Sequence, residues 1–180
     1  MRSRVAWLWK TRTGSAALRT VTALPNLIFD VLAAAANDIP ASIFIIGDGP
    51  DRQALSAYDA LHLVGHVDNP WLWYCAADIV AVPSLTEGLG LSAIEALAAG
   101  CPVIASNVGG LSEVITNDYL GTCVPAGDVN ALAVAIRGKL VIGRGSVTDE
   151  EQRRDYVAGK FSVHGMLDET NALYRRILGS

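Results

Sequence analysis

The amino-acid sequence predicts a Rossmann-like α/β domain, an open, doubly wound parallel sheet with a helical C-terminus. Short, continuous runs of apolar and β-branched residues alternate with alanine-rich stretches of helical length from residue 24 onward. Continuous apolar runs are typical of parallel strands that are buried on both faces, and strand–helix alternation is typical of doubly wound sheets. The composition agrees, because 51% apolar and 18% charged residues exclude a disordered chain and require a core covered on several sides.

Each predicted element follows from a run of this kind and from the residues that end it. Predicted strands cover residues 43–46, 61–64, 79–82, 103–105 and 122–124. Predicted helices cover residues 27–36, 52–58, 71–76, 91–99, 111–115 and 129–139. Gly100 and Pro102 end the fourth of these helices, Asp128 is the N-cap of the last, and residues 148–151 have the form of a capping box. Apolar residues spaced along one face predict a final helix: Val163, Met166, Leu173 and Ile177.

Residues 1–21 find no partner in this pattern and are left unassigned, so the predicted domain spans residues 22–180. Five basic residues precede the first acid, Asp30, which gives residues 1–29 a charge of +5 and the rest of the chain −9. An Arg-rich, acid-free composition is also that of an organelle transit peptide. A misplaced start or a missing upstream domain explains the segment equally well, and no function is assigned to it.

Charge and cysteine content exclude several classes of protein. A net charge of −4 argues against a general nucleic-acid binder, and no apolar run approaches the ~20 residues of a membrane span, so no transmembrane segment is expected. Cys75, Cys101 and Cys123 are odd in number and far apart, which disfavours a disulfide scaffold or a structural zinc site. We therefore expect a cytoplasmic protein with three buried thiols.

The densest signal for function lies at residues 83–96, PSLTEGLGLSAIEA. This stretch leaves a predicted strand and opens a predicted helix, which is where doubly wound folds bind ligands. Gly88 and Gly90 let a ligand approach the backbone, and the helix N-terminus offers unpaired N–H groups to a diphosphate. Glu87 lies before this terminus and Glu95 about one turn inside the helix, so both carboxylates can face one ligand.

Two other interpretations compete for the same residues. Ser92-x-x-Glu95 has the form of a capping box, and for Glu95 the capping role and the ligand-binding role both stay open. Residues 88–93, GLGLSA, match a dinucleotide fingerprint, which would indicate a nicotinamide-dependent oxidoreductase. That fingerprint requires the first βα unit and an acid about 20 residues later, whereas here the next strand ends at residues 106–107, Ser-Asn. The oxidoreductase interpretation is therefore disfavoured.

At these residues the sequence resembles the C-terminal, nucleotide-sugar-binding half of the GT-B glycosyltransferases, specifically the large retaining family called group 1 or family 4. Glu87 and Glu95 stand as its Glu-x7-Glu signature. The other landmarks follow in the family's order from about residue 22 to the end: residues 46–50, 64–67, 76–78, 99–105, 109–113, 161–162 and 173–174. The resemblance implies transfer of a sugar from a nucleoside-diphosphate sugar to an acceptor, with anomeric retention.

The resemblance also implies roles for individual residues. Glu87 is expected to be the catalytic residue, contacting the hydroxyls of the donor sugar, and Glu95 is expected to bind the ribose hydroxyls of the nucleotide. Backbone amides that should hold the sugar and the diphosphate belong to Gly88, Leu89, Gly90 and Leu91. A helix terminus can stabilise the leaving diphosphate without a metal, and the chain contains no Asp-x-Asp, so no metal or other cofactor is expected.

A second loop is implied to lie near the nucleotide. Gly47 and Asp48 correspond to the family's loop beside the nucleotide, although residues 47–50, GDGP, are more simply a turn. The loop that contains Val67 is expected to meet the base, largely through its backbone. His66 is then a surface residue rather than a catalyst.

The sequence departs from the family pattern in two ways. The family's diphosphate-binding Arg and Lys-Gly correspond, without gaps, to Ala17 and to Thr22-Ala23, and Arg19 is the cation nearest to them. The N-terminal acceptor domain of a complete enzyme is also missing. We therefore expect the chain to be inactive without an acceptor domain or a second chain that supplies one. The alternative is a non-catalytic nucleotide-sugar-binding module or a gene fragment.

Overall fold

The structure is a computed structural model that describes residues 17–21, 41–48, 52–59 and 61–179. Six strands lie within these ranges: β1 (Ala17–Val21), β2 (Ala41–Ile46), β3 (Leu61–Gly65), β4 (Val80–Val82), β5 (Val103–Ser106) and β6 (Gly121–Val124). Seven helices accompany them: α1 (Arg52–Leu55), α2 (Trp71–Ala76), α3 (Leu91–Ala98), α4 (Leu111–Val114), α5 (Val129–Ile142), α6 (Val147–Lys160) and α7 (Val163–Leu178). The predicted helix over residues 27–36 lies outside the described residues.

The six strands form one parallel sheet in the order β3-β2-β1-β4-β5-β6. Strands β2 and β3 extend the sheet on one side of β1, and strands β4, β5 and β6 extend it on the other side. This order and the parallel pairing confirm the predicted doubly wound fold. Because all strands point the same way, the loops that follow them lie along a single edge of the sheet.

Strand β1 lies inside the segment that the sequence leaves unassigned. Its residues pair with β2 on one side, where Arg19 is opposite Ile43, and with β4 on the other, where Thr20 is opposite Val80. Residues 17–21 therefore belong to the centre of the sheet, although residues 1–21 are predicted to lie outside the domain. The strand is not recognisable as a continuous apolar run because Arg19 lies in its middle.

The core lies around β4 and β5, whose seven residues are all buried. Val80, Ala81 and Ile104 have no exposed surface, as expected for strands that are covered on both faces. Helix α3 contributes Ala93, Ala96 and Leu97 to the same cluster of buried residues. The small alanine side chains let α3 approach the sheet closely, which fixes the helix that begins at the glycine-containing loop.

Helix α6 begins at a capping box, but not at the predicted one. The Ser146 hydroxyl accepts a hydrogen bond from the Asp149 N–H, and the Asp149 carboxylate accepts one from the Ser146 N–H. The prediction of a capping box at residues 148–151 is therefore wrong by two residues, because this stretch offers a hydroxyl-x-x-acid pattern in two registers.

Two arginines from the C-terminal region donate hydrogen bonds to backbone carbonyls at the C-terminal ends of α2 and α3. The Arg144 guanidinium donates hydrogen bonds to the carbonyl oxygens of Tyr74 and Ala77 at the end of α2, and to that of Ala99 at the end of α3. Glu150 balances its charge at 2.8 Å.

Arg153 is only 2% exposed and lies beside Arg144. It donates to the carbonyl oxygens of Tyr119, Gly100 and Arg144 itself. Both arginines thus satisfy backbone carbonyls that helix and loop ends leave without partners.

Helix α7 shows the predicted apolar face, and none of its residues is buried. The exposed apolar side chains on this helix are Val163, Met166, Leu167, Leu173, Tyr174, Ile177 and Leu178. None of the helices that the structure describes combines the length and the apolarity that a membrane crossing requires.

The three cysteines differ in their surroundings. Cys101 is buried, and this burial raises the pKa of its thiol to about 12, so the thiol stays neutral. Cys123 is half-buried and Cys75 is exposed on α2, so the expectation of three buried thiols is confirmed for Cys101, holds only in part for Cys123 and is wrong for Cys75. Its position in the helix directs it away from the face that packs on the core.

Replacing Arg153 by methionine should destabilise the protein by about 3 kcal/mol, because one buried and two partly buried carbonyls would lose their donor. Urea unfolding followed by circular dichroism measures this loss. The matched control is Arg137→Met, an exposed arginine on α5, which should change stability by less than about 0.5 kcal/mol. Equal effects of the two substitutions would contradict the structural role of Arg153.

The pair Arg144–Glu150 predicts a dependence of stability on pH. Burial raises the pKa of Glu150, but the hydrogen bond and the charge of Arg144 outweigh burial and hold it below the ordinary value. The stabilisation is therefore present above the ordinary pKa of glutamate and is lost as the pH falls through the lowered pKa. Glu150→Gln should lower the urea midpoint at about pH 7 and have a smaller effect at about pH 3. Glu151→Gln, at an exposed neighbour, should have little effect at either pH.

Candidate functional site

The candidate site lies at the carboxyl edge of the sheet, where the loop after β4 leads into α3. Gly90 adopts a left-handed conformation, with φ of 75°, and is the N-cap of α3 without any side-chain cap. The capping interpretation of Ser92-x-x-Glu95 is therefore wrong, since both residues lie inside the helix. The loop follows the fourth strand and not the first, so the placement that a dinucleotide fingerprint requires is also absent here.

Glu87 is held in place by its own loop. The Ser84 hydroxyl donates to Oε2 of Glu87 at 3.3 Å, and the Gly88 N–H donates to Oε1 at 3.2 Å. Glu87 remains half-exposed, while Ser84 at the end of the strand is only 6% exposed. A buried hydroxyl thus orients a carboxylate that solvent and ligands can reach.

The same loop rests on a pair of glycines that follows β5. The Gly110 N–H donates to the Gly88 carbonyl at 2.8 Å. A Cβ atom at Gly110 would collide with that carbonyl and lie 2.9 Å from the Cα of Leu89, and one at Gly109 would collide with the carbonyl of Glu87. The predicted motif at residues 109–113 therefore has a structural purpose: it lets two backbones touch directly.

Gly88 itself is different, because nothing in the described part of the chain requires a glycine there. A Cβ atom added at Gly88 would have no neighbour within 4 Å, and the residue is exposed. Leu89 and Leu91 beside it are 51% and 63% exposed. The loop thus presents open backbone and apolar side chains at the start of α3.

Electrostatically, the start of α3 suits an anion. The first turn of the helix carries no acidic side chain. The N–H groups of Ala93 and Ile94 donate to the Gly90 carbonyl, whereas those of Leu91 and Ser92 have no backbone acceptor within the described part of the chain. The aligned peptide dipoles give this end a partial positive charge. A phosphate group placed over residues 88–91 would meet these amides directly.

Glu95 is exposed on α3 but anchored from within the core. The hydroxyl of Tyr74, a residue of α2 that is 1% exposed, donates to Oε2 of Glu95 at 2.6 Å. Burial, together with the hydrogen bond and the charge of Glu95, raises the pKa of Tyr74 far above its ordinary value, so its hydroxyl stays protonated. The sequence around Tyr74 does not indicate this contact, since a tyrosine in an apolar helix is ordinarily a core residue.

The loops after β2 and β3 are joined to each other at the same edge. The Gly47 N–H donates to the Gly65 carbonyl at 2.7 Å. The Asp48 carboxylate accepts hydrogen bonds from Arg52 at 2.8 Å and from the His66 N–H at 3.0 Å. The carboxylate of Asp48 is therefore occupied in holding the two loops together, as expected of a turn.

The remaining predicted positions are placed as follows. Val67 is partly buried and packs on the core, so its side chain faces inward. His66 is an exposed loop residue, as expected. Ala17 begins β1, while Thr22 and Ala23 lie outside the described residues. The sheet thus brings Gly47, Val67 and Glu87 to one edge.

Comparison with known proteins gives consistent results. The family model described as "Glycosyl transferases group 1" matches residues 18–140. D-inositol 3-phosphate glycosyltransferase of Mycobacterium tuberculosis (strain ATCC 25618 / H37Rv) is 34% identical over 169 residues, covering 83% of this chain and 35% of the relative. The same enzyme of Mycobacterium bovis (strain BCG / Pasteur 1173P2) gives the same values.

Solved structures share the fold. A sucrose-phosphate synthase from Thermosynechococcus elongatus has a TM-score of 0.75 at 30% identity, over 92% of this chain and 46% of that one. Anabaena HepE in complex with UDP has a TM-score of 0.72 at 19% identity, over 88% of this chain and 48% of that one. This chain thus spans about a third of these curated relatives and just under half of these solved structures.

Gly110→Ala should destabilise the protein by about 1–3 kcal/mol, because its helical backbone, with φ of −64°, accepts alanine but the added Cβ would push the Gly88 loop away. Gly138→Ala is the matched control, since this helical glycine has no neighbour within 4 Å. It should raise stability by about 0.5–1 kcal/mol. Urea unfolding of the two variants measures both effects, and a neutral Gly110→Ala would show that the close approach is not needed.

Proposed function

Since this chain belongs to the group 1 glycosyltransferases, we propose that it forms the donor-binding half of a glycosyltransferase. The reaction is transfer of a sugar from a nucleoside-diphosphate sugar to an acceptor, with retention of the anomeric configuration. The observation that carries this proposal is the loop after β4, where Glu87 precedes and Glu95 follows the free N-terminus of α3. Carboxylates on both sides of an anion-binding helix end fit a ligand with a charged centre and hydroxyl groups on each side.

In this proposal the two carboxylates bind the two sugars of the donor. Glu87 is the catalytic residue, which accepts hydrogen bonds from hydroxyls of the transferred sugar. The contacts to Ser84 and to the Gly88 N–H fix its orientation for that task. Glu95 accepts hydrogen bonds from the ribose hydroxyls, and its oxygen Oε1 has no hydrogen bond within the described part of the chain.

The backbone between the carboxylates binds the diphosphate. Amide groups at the start of α3 stabilise the negative charge that grows on the diphosphate as it leaves, so the proposal includes no metal or other cofactor. The amide donors are those of Leu89, Gly90 and Leu91, while Gly88, whose N–H is bonded to Glu87, lets the ligand approach the loop closely. Gly88 supports this assignment, because its open surroundings leave ligand approach as the reason for a glycine there.

The nucleotide end of the donor lies over the joined loops after β2 and β3. Gly47, Asp48 and Val67 contact it in this proposal. Since the Asp48 carboxylate already accepts two hydrogen bonds and the Val67 side chain packs inward, these contacts are made by the backbone. Backbone contacts to a base suit a site that tolerates sequence variation in the loop.

The donor class is supported by structural neighbours. Anabaena HepE has been solved with UDP, with UDP and glucose, and with UDP-glucose. We therefore include UDP-glucose among the first candidates for this chain. The reducing, cytoplasmic setting that the separated cysteines indicate is part of the same proposal.

Transfer also requires an acceptor-binding half. Donor and acceptor must be aligned within one closed cleft, and this chain spans just under half of its solved neighbours. We propose that a second domain or chain supplies the acceptor side, and that the 180 residues alone bind donor without transferring it. The same partial coverage favours one other candidate function, a nucleotide-sugar-binding module without transfer activity.

Calorimetric titration with UDP-, GDP- and ADP-glucose tests the proposed site. Glu95→Ala and Glu87→Ala should each raise the Kd of the tightest-binding donor by about tenfold or more, because each substitution removes a carboxylate that accepts hydrogen bonds from the donor. Glu151→Ala, an exposed glutamate on α6, is the control and should leave Kd within about twofold.

The outcomes separate the candidates. Binding that neither substitution weakens would overturn the site, and no binding by the wild-type chain would overturn the donor-binding function. This chain can also be mixed with the acceptor-binding domain of a group 1 relative and with a donor and an acceptor. Transfer of glucose to the acceptor would identify a transferase half, and its absence despite donor binding would identify a binding module.

A further inference from the structure

Tyr74 connects the hydrophobic core to the candidate site. It lies on α2, 21 residues before Glu95, and its ring belongs to the buried cluster around β4 and β5. Only its hydroxyl leaves the apolar environment, and this group lies 2.6 Å from Oε2 of Glu95. A buried side chain therefore fixes one oxygen of an exposed carboxylate.

The chemistry of the pair is directional. A tyrosine hydroxyl has one proton to donate, and in this environment the proton stays on the tyrosine and points at the carboxylate. Glutamate has several rotatable bonds, so an exposed glutamate ordinarily loses conformational entropy when it binds a ligand. The bond from Tyr74 removes much of that freedom beforehand and leaves Oε1 for a ligand.

The tyrosine is in turn held by the backbone beneath it. Arg144 donates to the carbonyl oxygens of Tyr74 and Cys75, at 3.2 and 3.3 Å, and to that of Ala99 at the end of α3. A single guanidinium group thus ties the helix that carries Tyr74 to the helix that carries Glu95. The geometry between the two side chains is set by the fold and does not depend on a ligand.

We propose that Tyr74 is a positioning residue for donor binding: it holds Glu95 in the orientation in which Oε1 accepts a hydrogen bond from a ribose hydroxyl. This inference rests on the proposed function of the site. Tyr74 touches no ligand atom in it and acts only through Glu95. Its contribution to affinity therefore exists only while both Glu95 and the ribose hydroxyls are present.

A double-mutant cycle tests this dependence. Tyr74→Phe, Glu95→Ala and the double variant of the full chain are titrated with the tightest of UDP-, GDP- and ADP-glucose. Tyr74→Phe alone should weaken binding about fivefold, the size of one lost hydrogen bond. In the Glu95→Ala background the same change should alter Kd by less than about twofold, since no carboxylate remains to be oriented.

A second readout separates positioning from a general effect on the fold. Tyr74→Phe should lose its effect when the probe is the corresponding 2′,3′-dideoxynucleoside diphosphate, which has no ribose hydroxyls. Tyr156→Phe is the matched control, because it also removes a hydroxyl that donates to a partly buried acceptor, the Val114 carbonyl at 2.9 Å, and this hydroxyl makes no hydrogen bond to Glu95. It should lower thermal stability without changing Kd.

Each remaining outcome would overturn the inference. Unchanged affinity in Tyr74→Phe would show that Glu95 needs no orientation. An equal loss in the Glu95→Ala background, or with the dideoxy probe, would show that Tyr74 supports the fold of the site in general. No binding by the wild-type chain would overturn the proposed function, and the inference with it.

Discussion

The positions of α2 and α3 depend on hydrogen bonds from two arginines to backbone carbonyls. Arg144 donates to carbonyls at the C-terminal ends of both helices, and Arg153 donates to the carbonyls of Gly100, two residues beyond α3, and of Arg144. Cations are favoured at helix C-termini, where carbonyls lack partners, and burial strengthens these bonds. The opposite end of α3 is left without a side-chain cap. The helix is thus secured at its C-terminal end and left without a side-chain cap at the end where the donor is proposed to bind.

Parallel pairing gives the site its second constraint. Residues that are far apart in the sequence share one edge only because every strand runs in the same direction. Direct backbone contact then fixes the distances, as where the Gly110 N–H meets the Gly88 carbonyl. In the proposed function, the backbone contributes the diphosphate site and only two side chains, Glu87 and Glu95, provide carboxylates. A site built in this way depends on glycines at the contacts more than on the identity of the exposed loop residues.

Much of this arrangement could be predicted from the sequence. Strands β2 to β6 are recognisable because parallel strands buried on both faces are continuous apolar runs, and the glycines around residues 88–90 mark the loop. Strand β1 could not be recognised, because Arg19 breaks its apolar run and its place in the sheet depends on two distant neighbours. Tyr74 was missed for a related reason. Its contact with Glu95 joins two helices 21 residues apart, and no local spacing encodes such a contact.

The central position of β1 has a consequence for shortened forms of the protein. Among the described strands, this five-residue strand alone pairs with both the pair β2–β3 and the trio β4–β6. A chain trimmed to start at residue 22 would expose two facing edges, each with unpaired N–H and C=O groups. Such edges recruit strands from other molecules, so the trimmed chain would self-associate through its middle. A domain boundary chosen from the apolar pattern alone would produce this form. Its self-association would then be mistaken for instability of the domain itself.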